Sequence, residues 1–335
     1  MSGLIKTLPE SEREKAKAGK MPDWVPPMLA TLSHEHFSDQ SWVYERKLDG
    51  VRCLVFKKEN RVNLMSRNRK QLNDSYPELV DMFLSQSEEK FIIDTEIVAF
   101  EGSLTSFSKL QNRIHVKDPS RARRSGIKVY CYVFDIMYLD KYDLTNLSLR
   151  SRKSILKKAL LFQDLIRYTP HRNKEGRGYL SEACRKGWEG IIAKQADSPY
   201  RGGRSRNWLK FKCGYRQEFV VGGFTEPEGE RIGFGALLIG YYEDRDLKYA
   251  GRVGTGYDDK MLRELAEELT RLETASSPFD DRTDDLSSES VHWVKPVLVA
   301  EVGFTEWTES GKLRHPRFLG LRDDKEAGEV KREEL

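Results

Sequence analysis

The residues best equipped for chemistry lie in the stretch Glu45-Arg46-Lys47-Leu48-Asp49-Gly50-Val51-Arg52. Runs rich in aromatic and β-branched residues flank it, Trp42–Lys47 and Val51–Phe56, and both read as strands. Asp49-Gly50 is a tight-turn pair, so Lys47 arrives at a strand end just before a bend. A lysine amine is a nucleophile when nearby cations or burial lower its pKa. Alone, a Lys-x-Asp-Gly turn is ordinarily a solvated hairpin. What gives this lysine meaning is the set of stretches downstream.

Ser66-Arg67-Asn68 ends a strand, and Phe134-Asp135 sits inside an apolar one. Asp94-Thr95-Glu96-Ile97-Val98 puts two acids on one face of a strand, because they are two positions apart. Glu189-Gly190-Ile191-Ile192-Ala193-Lys194 opens another strand. In Trp208-Leu209-Lys210-Phe211-Lys212 the alternation places Lys210 and Lys212 on one face and Leu209 and Phe211 on the other. Together these supply a nucleophile, carboxylates able to hold a divalent metal, phosphate-facing cations and an aromatic to stack on a base. That inventory suits attack on a nucleotide α-phosphate, with metal and cations stabilising the phosphoryl oxygens and the departing pyrophosphate.

Several other features have plainer readings. Asp94 can satisfy a strand end or join a metal site. The Gly251–Gly256 run has no acid-ended strand after it and reads as a barrel turn, not a dinucleotide loop. Arg121-Ala122-Arg123-Arg124 is equally a DNA-backbone contact and a solvated loop. His34 and His36 are expected on the surface, and Trp188 and Trp208 in the core.

These residues need a scaffold of many short strands. Arg61–Ser66, Phe91–Phe100 and Val129–Leu139 read as strands, and Pro77–Gln86, Arg150–Leu161 and Arg177–Lys186 as helices. After Tyr215 the texture shifts to short strands, Glu218–Thr225, Gly235–Tyr242, Leu247–Val253 and Val297–Thr305, with one helix at Lys260–Leu272 and a polar loop at 276–290. That pattern suits a small barrel such as an oligonucleotide-binding (OB) fold. The expected fold class is therefore α+β: antiparallel sheets with flanking helices over residues 27–215, then an OB-fold β-barrel over 216–326. Residues 1–26 are expected to be an arm or linker with a short helix at Glu10–Lys15, and 327–335 a charged tail.

A length of 335 residues favours two domains. The 57 basic and 53 acidic residues leave only +4, too little to imply nucleic acid by itself. Distribution says more: the segment Lys194–Arg216 holds seven Lys or Arg and one acid, Asp197. No apolar run is long enough to span a bilayer, and no signal-peptide pattern opens the chain. Cys53, Cys131, Cys184 and Cys213 lie far apart without a Cys-x-x-Cys spacing. Their spacing argues against a zinc knuckle and a disulfide framework and suits a reducing cytoplasm.

The order Lys47-x-Asp49-Gly50-x-Arg52, Glu96, Phe134, Glu189-Gly190, Lys210-x-Lys212 resembles the covalent nucleotidyltransferase superfamily of DNA ligases, RNA ligases and mRNA capping enzymes. Arg322-Asp323-Asp324-Lys325, after Arg314-His315-Pro316-Arg317-Phe318, is similar to that superfamily's last motif. Pro27-Met28-Leu29-Ala30, Gly251–Gly256 and Leu319-Gly320-Leu321-Arg322 resemble the ligase domain of bacterial and archaeal end-joining DNA ligases. The resemblance implies an ATP-dependent DNA ligase in which Lys47 forms lysyl-AMP. It also implies that Glu45 helps bind the nucleotide, Arg52 and Glu96 hold its ribose, and Phe134 stacks on adenine. Lys210 and Lys212 meet the α-phosphate, Arg67 the phosphate of the nick, and Arg322 and Lys325 the pyrophosphate. Glu96 and Glu189 would hold Mg2+ or Mn2+.

Further implications are a nicked or broken DNA duplex as substrate and a monomeric, cytoplasmic, nucleoid-associated prokaryotic enzyme. Its partners would be a Ku-type end-binding protein and a polymerase or nuclease. RNA ligase and capping-type transferase are the rival readings; capping enzymes usually have Asp-Gly in place of Glu189-Gly190. Two departures stand out: Arg69 replaces the usual glycine after Ser-Arg-Asn, and Glu326 replaces a proline after Asp-Lys.

Overall fold

The computed structural model describes residues 3–114, 116–227, 229–280 and 290–333. Two compact units divide at Cys213/Gly214. In the first, the strands Val51–Lys58, Lys90–Glu101 and Val129–Leu139 form the antiparallel centre of a large sheet, edged by Arg61–Ser66 and Tyr142–Asp143. Ile166–Tyr168 adds to it in parallel. One face, carrying Cys53, Val55, Ile93, Ile97 and Val133, packs with Leu79, Phe83, Leu110, Ile155 and Leu156 from three helices. Those helices span Pro77–Leu84, Phe107–Ile114 and Leu149–Ala159. The first starts on a proline, whose missing N–H is no loss there. The third is capped by Ser148 Oγ, which accepts from Ser151 N.

A second sheet runs His171–Asn173, Trp42–Arg46, Gly190–Gln195, Gly203–Lys212, Met28–Leu32. Tyr44, Ile191, Ala193, Leu209 and Phe211 pack its outer face on the helix Gly176–Arg185. The inner faces of the two sheets meet through a small core of Leu54, Phe56, Ile92 and Phe134 against Met28, Tyr200 and Trp208. Everything polar on those inner faces lines the space beside this core.

The second unit is a seven-stranded antiparallel sheet among the described residues, curving around Tyr215–Thr225, which pairs with three other strands. The helix Asp259–Arg271 lays Leu262, Leu265 and Leu269 on it, and Asp258 caps that helix by accepting from Met261 N at 2.8 Å.

Three expectations need correction. The first residues are no loose arm: Ile5, Leu8 and Ala16 are buried in the first unit's core, and Lys17–Ala18 pairs with Tyr142–Asp143. Nor is the end a free tail, since Val330 is buried in the second core and accepts from Tyr242 N at 2.8 Å. Short apolar residues inside charged segments carried that signal. Cys184 and Cys213 form a disulfide, because the helix Gly176–Arg185 and the strand Gly203–Lys212 end side by side, with the two Cα atoms 5.0 Å apart. Sequence spacing cannot show such a meeting. Most of the predicted 276–290 loop, residues 281–289, lies outside the described residues.

Ile5 is fully buried. Ile5→Ala is expected to lower stability by about 2 kcal/mol or more, read as a shifted urea midpoint. A detached arm would leave the midpoint unchanged.

Candidate active site

Lys47 follows the strand Trp42–Arg46, and its N–H donates to Gly190 O at 2.9 Å. Register then fixes its neighbours. Ile192 lies opposite both Glu45 and Lys210, Gly190 opposite Lys212, and Lys194 opposite Trp208. With a period of two, Glu45, Lys47, Lys194, Trp208, Lys210 and Lys212 share the inner face. Two glycines allow the close approach. A Cβ on Gly190 would sit 2.0 Å from Phe211 O, and one on Gly50 would sit 2.2 Å from Ile97 O and 3.1 Å from Glu96 Cγ.

Lys47 Nζ is ion-paired with Glu189 Oε1; the lysine side chain is 21% exposed and the glutamate 5%. Behind them lies a buried triad. Glu45 takes Lys153 Nζ on one oxygen and Lys194 Nζ on the other, the latter at 2.5 Å. Burial pushes the Glu45 carboxyl up, but the two ammonium groups overcome it and hold the carboxyl below the usual range. Burial likewise opposes the charge on Lys153, yet Glu45 raises its pKa. Lys194 goes the other way: burial and repulsion from Lys153 outweigh Glu45 and lower it. The Lys194 Nζ lies 4.2 Å from the centre of the Phe134 ring and 4.0 Å from that of Trp208.

Across the cleft, Arg52 is clamped side-on by Asp94 at 2.5 and 2.6 Å and lies 4.6 Å from the Phe134 centroid. Tyr200 OH donates to the same carboxylate at 2.6 Å and accepts from Met28 N at 3.0 Å. Burial works against the Arg52 charge, and Asp94 more than restores it, raising the pKa. Asp94 thus neither ends a strand nor faces a metal: it is fully buried and holds Arg52. Glu96 stands directly opposite Arg52 across the strand pair. A register shift after Asp94 turns Phe134 onto this face, away from Val133 and Ile136.

Arg67 belongs to a turn closed by Ser66 N–H to Lys70 O at 2.9 Å and Lys70 N–H to Ser66 Oγ at 3.0 Å. Arg69 has φ +60°, the left-handed conformation that explains glycine elsewhere in the family. Here the conformation is kept by a non-glycine residue at a cost of about 1 kcal/mol, and the guanidinium lies 4.9 Å from the Trp24 ring centre. In the second unit, Arg322 is bound by Asp324 at 2.8 and 2.9 Å and by Glu301 at 3.1 Å, and Lys325 lies 3.3 Å from Glu218.

The cationic run Lys194–Arg216 is not one surface strip: Lys194 is buried, Arg204 donates to Ala30 O at 2.8 Å, and Arg201 to Asn146 at 2.8 Å. His34 is exposed, whereas His36 is half-buried with its ring 4.9 Å from Phe211. Sequence reasoning missed Lys153 and Tyr200, which carry no local signal; Trp208 lies in the core as expected, on the inner face that its alternation with Lys210 implies. Glu96 and Glu189 offer hard oxygen donors, and no cluster of three or more metal-binding side chains occurs among the described residues. Such a donor set fits Mg2+ or Mn2+ that keeps its waters and shares phosphate oxygens.

A family model described as ATP dependent DNA ligase domain matches residues 27–212, and one described as ATP dependent DNA ligase C terminal region matches 230–325. The multifunctional non-homologous end joining protein LigD of Pseudomonas aeruginosa is 36% identical over 317 residues, 92% of this chain and 37% of that protein. The LigD of Mycobacterium tuberculosis is 36% identical, over 93% of this chain and 40% of its own length. A probable DNA ligase of Dictyoglomus turgidum is 32% identical, over 84% and 53%. The chain therefore spans from 37% to 53% of the length of these relatives. A solved mycobacterial DNA ligase D complexed with ATP and MES superposes with a TM-score of 0.67 at 34% identity, covering 92% of this chain and 98% of that one. The expected nucleotidyltransferase and OB-fold architecture is the one this likeness carries.

Glu45→Gln would leave two buried ammonium groups facing each other. We expect it to cost about 3–5 kcal/mol near neutral pH. Because the Glu45 pKa is depressed in the folded state, its contribution is present above the ordinary carboxylate pKa and lost as pH falls through the folded value. The stability gap between wild type and variant, measured in urea, should narrow toward acid; a constant gap from pH 7 to pH 3 would contradict the triad.

Proposed function

We propose, from the premise that this chain belongs to the family of ATP-dependent DNA ligases, that Lys47 attacks the α-phosphorus of ATP. The Nζ–P bond forms as the bond to pyrophosphate breaks. AMP then passes to a DNA 5′-phosphate, and a 3′-hydroxyl displaces it to seal the strand. The observation that carries this reading is the inner face itself. There a lysine, a fifth exposed and paired with Glu189, stands in register with Lys210 and Lys212 and beside an aromatic pocket.

Within that face the parts divide the work. Glu189 Oε1 holds the Lys47 ammonium and is an acceptor for the proton that must leave before attack. Phe134 and Trp208, their ring centroids 6.1 Å apart, frame the base. Glu45 acts on it through Lys194, whose Nζ faces both rings. Arg52 and Glu96, opposite one another, are placed for the ribose, and Lys210 and Lys212 for the α-phosphate. A divalent metal at Glu96 and Glu189 would supply charge neutralisation for the phosphoryl oxygens. The roles of Arg67, Arg322 and Lys325 are proposals of the same kind and rest on the family motifs.

A place in end joining, with a Ku-type protein and a polymerase or nuclease as partners, is the finer proposal. Its support is the likeness to LigD proteins, of which this chain spans 37–40%.

Incubation with labelled ATP should give a heat-stable, acid-labile protein–AMP adduct, absent with GTP or NAD. Neither Lys47→Ala nor Lys47→Arg should form it, since a guanidinium stays protonated. Adenylation of either variant would remove Lys47 as the nucleophile. Lys325→Ala is expected to lose the adduct yet still seal a nick supplied already adenylated. Equal failure on that nick would overturn its assignment to the first transfer.

A further inference from the structure

Three arginines of this protein present the Nε–Nη2 edge to a carboxylate, Arg52 to Asp94, Arg152 to Asp135 at 2.7 and 2.9 Å, and Arg322 to Asp324, while the buried Arg113 spends Nε on Ser75 O and Nη2 on Glu78. Arg46 breaks the pattern. Its Nε and Nη2 are enclosed and have no hydrogen-bond partner among the described residues. Among the described residues no carboxylate lies within ion-pair reach of it. Burial lowers its pKa, and only the phenols of Tyr132 and Tyr179 oppose that. The guanidinium lies 4.3 Å from the Trp188 ring centre and 5.9 Å from that of Phe100. A cation so placed and left without a counter-ion is costly unless something else neutralises it.

What adjoins it has one chemistry. Phe100 meets Tyr130 at 5.6 Å and Tyr132 at 6.3 Å between centroids, and all three rings are half-exposed. Register puts the tyrosines on the inner face: Tyr132 lies opposite Glu96 and Tyr130 opposite Val98, continuing the row that holds Arg52. Lys128 and Arg167 lie 5.3 and 5.7 Å from the Tyr130 centroid, and Lys186 5.0 Å from that of Trp188. The acid in this row is Glu96, opposite Tyr132; Glu78 and Asp81, on the helix packed against the sheet's other face, pair with Arg113 and Arg123. Exposed rings interleaved with cations are the means by which proteins hold a nucleic-acid strand: phosphates on the cations, bases or sugars on the rings.

We propose that this strip seats a strand of the nicked duplex next to the reacting phosphate. A phosphate oxygen pair takes the Nε–Nη2 edge of Arg46, and the Tyr130 and Tyr132 rings flank the adjoining nucleotide. Because that edge is enclosed, binding includes a side-chain shift at Trp188 or Arg46 that uncovers it. Lys128 and Arg167 contact the phosphates beyond. The proposal rests on the DNA ligase reading, and it adds a DNA-binding surface distinct from the residues that hold ATP.

The test is anisotropy of a fluorescent nicked duplex over a salt series, with self-adenylation by labelled ATP measured on every variant. Lys128→Ala/Arg167→Ala alters two exposed side chains and should fold. Its slope of log affinity against log salt should fall by between about one and two units. Tyr130→Ala should weaken binding roughly five- to a hundredfold, and Arg46→Gln comparably, with the protein–AMP adduct still formed. Wild-type affinity and slope in the lysine–arginine double variant and in Tyr130→Ala would overturn the strip. If wild type itself takes no AMP, it is the ligase reading that fails.

Discussion

A single buried carboxylate, Glu45, holds two ammonium groups at once, and the site is built outward from it. Lys153 reaches it from the helix Leu149–Ala159 and also donates to Thr169 O at 3.2 Å; Lys194 reaches it from the neighbouring strand. The helix of one layer is thereby tied to the sheet of the other. Three charges out of water are a poor way to gain stability, since desolvation consumes most of the attraction. What they give is position and charge. Two lysines sharing one carboxylate fix the Lys194 Nζ 4.2 Å from the Phe134 ring centre and 4.0 Å from that of Trp208.

Arg52 and Asp94 repeat this logic on the opposite sheet. The bidentate pair, steadied by Tyr200, fixes a guanidinium against Phe134 so that it needs no reordering when a nucleotide arrives. The two layers make separate cores on their outer faces and share only the small inner one. Each layer can thus set its own register, and the cleft inherits both. The bulge at Asp94/Thr95 brings Phe134 to the inner face.

Much of this is readable in the chain. Alternation in Trp208–Lys212 and the two-residue step from Asp94 to Glu96 gave the faces correctly, because a period of two is enforced wherever one side is buried. Asp49-Gly50 reads as a tight turn and is instead a bend that carries the chain from one sheet to the other, though Lys47 does stand at its strand end, and the predicted strands and helices recur with ends shifted by a few residues. What could not be read was which cations meet which acids. Asp94 and Arg52 are 42 positions apart, Lys153 and Glu45 108, and no local pattern marks either pair. The same holds for Cys184 and Cys213. The buried ends of the chain were missed for another reason: Ile5 and Val330 are single apolar residues among charges, and periodicity needs several.

The ordering of cations by constraint bears on which of them can react. Lys153 and Lys194 are locked by Glu45 in places that water does not reach, and Arg52, 18% exposed, is clamped by both oxygens of Asp94. Lys47 is the exception. Its own side chain is a fifth exposed, it sits past the strand end, and Glu189 pairs with it. Lys153 and Lys194 share one carboxylate with side chains 2% exposed, and breaking such a buried arrangement costs about 3–5 kcal/mol. A nucleophile must travel and lose a proton while everything around the phosphate stays still, and burial divides this cluster along that line.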